Sequence, residues 1–169
     1  MLQLTILREL STLMESKTNF NSVLEMVLEG MYRGVGMDRT LFALRTPDQR
    51  FLVGRYALGT DNEQLRRLFH FETVASKPNL FSQIFASKQA VWLSDEQSGQ
   101  QQEWLIPQVL EVSKGADFFV TPIEIRNKVI GVFYADRQPS GRPLDAESFN
   151  SFKHFALQGN LALAYLSGG

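Results

Sequence analysis

Two apolar runs, Asp117 to Ile125 and Lys128 to Ala135, are separated by only two polar residues, Arg126 and Asn127. So short a connection admits an antiparallel hairpin and excludes a parallel pair, which needs a crossover of a dozen residues or more. A second pair of β-rich runs, Thr40 to Leu44 and Phe51 to Leu58, flanks the turn-forming stretch Thr46, Pro47, Asp48 and Gln49, and predicts a second hairpin.

Helical spacing surrounds these strands. Leu2, Ile6, Leu10, Leu13 and Met14 recur at about 3.6 residues. After the polar stretch Ser16 to Asn19 a second stripe runs through Phe20, Val23, Leu24, Val27, Leu28, Met31 and Val35, ending at Gly34 and Gly36. Shorter helices are predicted over Asp61 to Leu68 behind an Asp or Asn cap, over Asn79 to Ser87, and over Glu103 to Val112, with a short strand at Ala90 to Leu93. The polar run Ser94 to Gln102 reads as an exposed loop. Asp145 is placed to cap a final helix over Ala146 to Leu166, whose Phe149, Phe152, Ala156, Leu163 and Leu166 share one face. Leu157, Leu161, Ala164 and Tyr165 form a second apolar face, more than one sheet needs to cover. The element order is that of an α+β fold with an antiparallel sheet and the terminal helices on one of its faces. With 169 residues, 44% of them hydrophobic, and no repeat or break in composition, one domain is expected over 1–169.

Composition removes several kinds of chemistry. A formal net charge of −1 supplies no basic face for nucleic acid or an anionic membrane. The absence of cysteine removes disulfides, thiolate metal sites, thiol nucleophiles and thioether-linked chromophores, and fits a cytoplasmic setting. No apolar run approaches the roughly 20 residues of a membrane-spanning helix. The two histidines, His70 and His154, stand far apart and form no ligand cluster, so each reads as a packing or surface residue and no metal is expected. Asp95, Glu96, Glu103, Glu111 and Asp117 could supply an acid and a base, but nothing in their spacing fixes two carboxyls about a substrate. No phosphate loop, nucleophile elbow or catalytic residue set is found.

The run FFVTPIEIRNKVIGVFYADR at 118–137, with Pro122, Lys128, Ile130, Gly131, Val132, Asp136 and Arg137 at the marked positions, resembles the closing hairpin of GAF domains. The run SKTNFNSVLEMVLEGMYRGVGMDR at 16–39 is similar to the start of GAF regions that follow HDOD domains in bacterial signalling proteins. The resemblance implies a sheet of about five or six antiparallel strands, helices behind it, a small-molecule pocket in front, and regulation through dimer helices. It also implies an HDOD or other effector domain in a parent chain, from which this chain would be an excised domain. Within that family, bilin attachment and methionine sulfoxide reduction need a cysteine this chain lacks. The Asn-Lys-x-Phe-Asp signature of the cyclic-nucleotide binders is missing too, since Asn127 and Lys128 lie in a turn.

A pocket between sheet and middle third would have Phe42, Tyr56, Phe69, Phe71, Trp92, Phe118 and Phe133 as walls and Arg55, Thr121 and Tyr134 as polar anchors. Each is weighed against core packing or plain exposure, since a chain with 13 phenylalanines uses most of them to fill space. Strand alternation puts Val129, Gly131 and Phe133 on one face and Ile130, Val132 and Tyr134 on the other, and leaves open which face meets a pocket. Two readings follow. One is a cytoplasmic sensory module that binds a small molecule, of unknown identity, and signals as a homodimer through its terminal helices. The other is a dimerisation module whose pocket is filled by its own aromatics. A carboxylate-dependent enzyme stands behind both, and the chain is read as no enzyme.

Overall fold

The computed structural model describes residues 20–73, 79–94 and 107–168. The helix expected over Leu2 to Met14, the loop after Ser94, and the carboxylates Asp95, Glu96 and Glu103 lie outside them.

Six strands form one sheet in the order β3-β2-β1-β6-β5-β4, every neighbouring pair antiparallel. The strands are β1 (Arg39–Arg45), β2 (Phe51–Gly59), β3 (His70–Glu72), β4 (Val91–Leu93), β5 (Phe118–Ile125) and β6 (Lys128–Asp136). The helices are α1 (Phe20–Glu29), α2 (Asn62–Leu68), α3 (Leu80–Ser87), α4 (Pro107–Ser113) and α5 (Ala146–Gly168). The two hairpins, β1–β2 and β5–β6, meet at the centre, where β1 pairs with β6. At the tip of β5–β6 both Arg126 (φ 52) and Asn127 (φ 68) are left-handed, the backbone that lets a two-residue loop follow the right-handed twist of its strands.

Each face of the sheet carries its own core. On the helix face Val23, Leu24, Val27 and Leu28 of α1 and Phe152, Phe155, Ala156 and Leu163 of α5 pack on Phe42, Phe119, Phe133 and Ala135. On the front face Leu65 of α2, Leu80, Phe81 and Ile84 of α3, and Val109 and Val112 of α4 pack on Leu41, Leu52, Val120, Val132 and Tyr134. Among the described residues α1 and α5 thus share one face, and the other is covered by the short helices of the middle third.

Three local outcomes differ from expectation. The stripe that begins at Phe20 is α-helical only to Glu29; it continues as a π turn over Gly30–Val35 and stops at Gly36 (φ 80), whose N–H bonds back to Met31. Asp61 does not cap α2: it is left-handed (φ 56), and its carboxylate makes no bond to the first turn. Ile130 does not share a face with Val132 and Tyr134. A β-bulge lies where the register passes from Ile123↔Gly131 to Glu124↔Val129, and the extra residue turns Ile130 to the helix-face core. Strand β3 had no sequence signal beyond two aromatics beside a histidine. Asp145, accepting from Ser148 N at 2.7 Å, caps α5 as the sequence predicts, and Asn79, read only as the start of a helix, proves to be the cap of α3, accepting from Phe81 N and Ser82 N.

Gly131, in the apolar strand of the closing hairpin, has a spatial cause. A Cβ there would lie 2.0 Å from the backbone oxygen of Ala43 on β1. Neither backbone can yield without breaking the central β1–β6 ladder. Gly131→Ala should therefore cost about 3 kcal/mol, the upper end for overpacking, read as a lower urea midpoint at unchanged m-value.

Candidate functional site

The polar centre of the front face is a buried ion pair where the two hairpins meet. Arg39 opens β1, Asp136 closes β6, and the antiparallel register sets them directly opposite. The Arg39 guanidinium grips the carboxylate with two bonds, Nε to Oδ1 at 3.0 Å and Nη2 to Oδ2 at 2.5 Å. Nη2 also donates to the carbonyl of Val112 at 2.9 Å, which ties the last turn of α4 to the sheet. Asp136 accepts two more bonds, from the Tyr134 hydroxyl at 2.6 Å and from Gln138 N at 3.1 Å. All three side chains are essentially inaccessible to water.

The ionisation of these groups follows from their surroundings. Burial alone would pull the Arg39 guanidinium down, but the hydrogen bonds and charge of Asp136 hold it above its ordinary value. Burial, and then the negative charge of Asp136, push the Tyr134 phenol well above its usual range. The network is thus a guanidinium, a carboxylate and a neutral phenol.

Around it the front face is filled by rings. Phe69 meets Phe71, Phe81 and Tyr134 at 5.0, 5.4 and 5.5 Å, Phe71 meets Phe81 at 4.6 Å, and Phe118 meets Tyr134 at 5.2 Å. Most of these pairs are tilted or edge-on, the arrangement that favours aromatic contact.

The expected pocket residues separate into three places. Phe69, Phe71, Phe118 and Tyr134 join this front cluster. Phe133, Trp92 and Thr121 belong to the helix face: Phe133 is fully buried, Trp92 packs edge-on to Phe119 at 5.7 Å, and Thr121 lies opposite Phe133 in the ladder. Phe42, Arg55 and Tyr56 come together in an open cleft of about 320 Å³ between the first turns of α1 and β2, completed by Asn21, Glu25, Val53, Gly54 and Arg66. A second open cleft, about 480 Å³, lies at the end of the sheet beside Tyr32, Asp38, Thr60, Ser140 and Arg142. Burial would raise the Asp38 carboxyl there, but bonds from Ser140 and Arg142 outweigh it and hold it below the usual carboxylate range.

The partnership of Arg39 with Asp136 is not legible in the sequence. Their signal was a charged residue ending each of two apolar strands, but the pairing of β1 with β6 spans most of the chain and leaves no local trace. His70 is exposed and tilts on Phe51 at 5.1 Å, and His154 lies 2.9 Å from the amide of Gln158.

A six-stranded antiparallel sheet with α1 and α5 on one face and short helices on the other defines an α+β domain. The GAF domain family model matches residues 19–163, and the chain belongs to that family. In fold it is similar to part of a methyl-accepting chemotaxis protein (residues 122 to 287; TM-score 0.72, 18% identity, covering 98% of this chain and 99% of that one). It is similar also to a GAF domain/HD domain protein from Geobacter sulfurreducens (TM-score 0.72, 14% identity, 92% and 99% covered). A third likeness is to the GAF-B domain of DevS from Mycobacterium smegmatis (TM-score 0.67, 21% identity, 89% and 96% covered). No curated protein matches. GAF domains are regulatory and sensory modules of signalling proteins. Among the described residues, no helix is long and apolar enough to cross a membrane.

Removing one member of the buried pair strands the other charge. Asp136→Ala should cost about 3–5 kcal/mol, and Arg39→Met with Asp136→Leu should recover at least half of that, as apolar replacements of buried pairs do; chemical denaturation of the three chains reads both. The folded chain also holds the Tyr134 proton that an unfolded chain releases near pH 10. This contribution is full below about pH 10 and falls as pH rises above it, because the unfolded state then binds fewer protons. Tyr134→Phe should flatten the alkaline loss, read from urea midpoints between neutral and strongly alkaline pH.

Proposed function

We propose that this GAF domain is a regulatory module of a signalling protein and that its output surface is α5, through which two copies pair. The observation that carries this reading is an uncovered apolar stripe on the C-terminal half of that helix. Leu157, Leu161 and Tyr165 are 54%, 64% and 71% exposed, while Phe152, Phe155, Ala156 and Leu163 on the opposite side are buried. Surface leucines are unremarkable singly, but three large apolar groups in successive turns form a patch.

The spacing favours a helix as occupant and a second copy as its source. Leu157, Leu161 and Ala164 follow the four-then-three step of a coiled-coil seam, with a small residue where two backbones must approach. A stripe on one helix meets its own equivalent across a two-fold axis without needing any other complementary surface. The inner side of α5 is set tightly on α1: a Cβ at Gly159 would fall 2.6 Å from Cγ2 of Val27. A change in the sheet or in α1 would therefore be transmitted to the stripe as a rigid displacement of the helix. The filled front face supports packing as the role of Phe69, Phe71, Phe118 and Tyr134. An effector, HDOD or other, in a parent chain is the natural receiver of such a signal.

Light scattering across micromolar concentrations should give a dimer for the native chain and a monomer for Leu161→Glu with an unchanged circular dichroism spectrum. A native chain that stays monomeric throughout would overturn the pairing.

A further inference from the structure

The cleft between α1 and β2 holds a bulge, two unpaired charges of opposite sign and an aromatic floor. The register of β1 with β2 steps from Phe42↔Tyr56 to Ala43↔Gly54, so Arg55 is the extra residue and has no partner across the ladder. Bulges re-aim a side chain, and here the exposed Arg55 lines the cleft. Glu25, half-buried on α1, lines the same cleft. The two do not pair, so their charged atoms stand farther apart than the 4.0 Å of an ion pair, and neither has another partner among the described residues. The third charge in the cleft, Arg66, is already bound to Glu63 at 3.0 Å. Tyr56, which also lines the cleft, stacks on the buried Phe42 with ring centres 6.3 Å apart.

We propose that this cleft binds an α-amino acid with a planar apolar side chain, its carboxylate on Arg55, its ammonium on Glu25 and its side chain against the Tyr56 ring. The guanidinium offers a carboxylate a two-bond fork, and the Glu25 carboxylate accepts from an ammonium. A ligand bearing both charges engages both groups at once, so the arrangement favours a zwitterion over a singly charged ligand. About 320 Å³ is the lower end of small-ligand sites and accommodates a molecule of this size. No α5 residue lines the cleft, so the proposal holds or fails independently of pairing through the α5 stripe.

The test is an NMR titration of ¹⁵N-labelled protein with L-phenylalanine through the millimolar range. Saturable shifts are expected at Asn21, Glu25, Arg55 and Tyr56. Arg55→Gln and Glu25→Gln should each weaken binding about tenfold or more, the scale of one hydrogen bond to a charged group. Both substitutions lie at the surface, and the unshifted remainder of each spectrum verifies the fold. Phenylacetate, which lacks the ammonium, and phenethylamine, which lacks the carboxylate, should bind as weakly as L-phenylalanine does to the variants. The proposal is overturned by an absence of saturable shifts at these residues, by variants that bind like the native chain, or by either half-ligand binding as well as the amino acid. Loss in only one variant overturns the zwitterion assignment.

Discussion

The bidentate bond between Arg39 and Asp136 joins parts of the molecule that nothing in the local chain holds together. It closes the contact between the first strand and the last, and through Val112 it fixes the C-terminal turn of a front helix to the same point. Two charges taken this far from water are tolerated only because their bonding groups are met: Asp136 accepts from Arg39 twice, from Tyr134 and from a backbone amide. The bond is directional, so the sheet cannot slide in register without breaking it. An apolar pair could give equal stability without adding this directional constraint to the alignment that the two cores impose on β1 and β6.

From that seam the two faces divide the labour. The front face uses Tyr134, an arm of the polar network, as the bridge into its aromatic cluster. Thus ring packing and the ion pair constrain each other. The helix face packs both α1 and α5 on the sheet and against each other, with Gly159 admitting Val27 at their crossing. Arg137, one residue beyond the seam, donates to the carbonyls of Val35 and Gly36 and to the Ser148 hydroxyl, and so ties the end of the π turn to the start of α5. Motion of the sheet's central strands therefore has a short physical route to the last helix.

Much of the architecture was legible because it is local. The β5–β6 hairpin follows from two turn residues between apolar runs, the cap at Asp145 from a side chain that bonds backbone three residues on, and the second face of α5 from helical spacing. Reading failed where a single residue was added or re-aimed. The bulge at Ile130 reversed part of an alternation that assumes an unbroken period of two. The bulge at Arg55 gathered three expected pocket residues, Phe42, Arg55 and Tyr56, into one cleft, while their companions were divided between the two cores.

By itself the sequence determined the antiparallel hairpins, the helices beside them, the GAF resemblance and the surplus apolar surface of the final helix, because propensity, turn chemistry and periodicity act over a few residues. Only the tertiary structure decided which face each aromatic serves, that Arg39 meets Asp136, and that Gly131 is small because the Ala43 backbone lies against it. Those facts depend on register between strands distant in the chain, and register is set by the simultaneous packing of two cores.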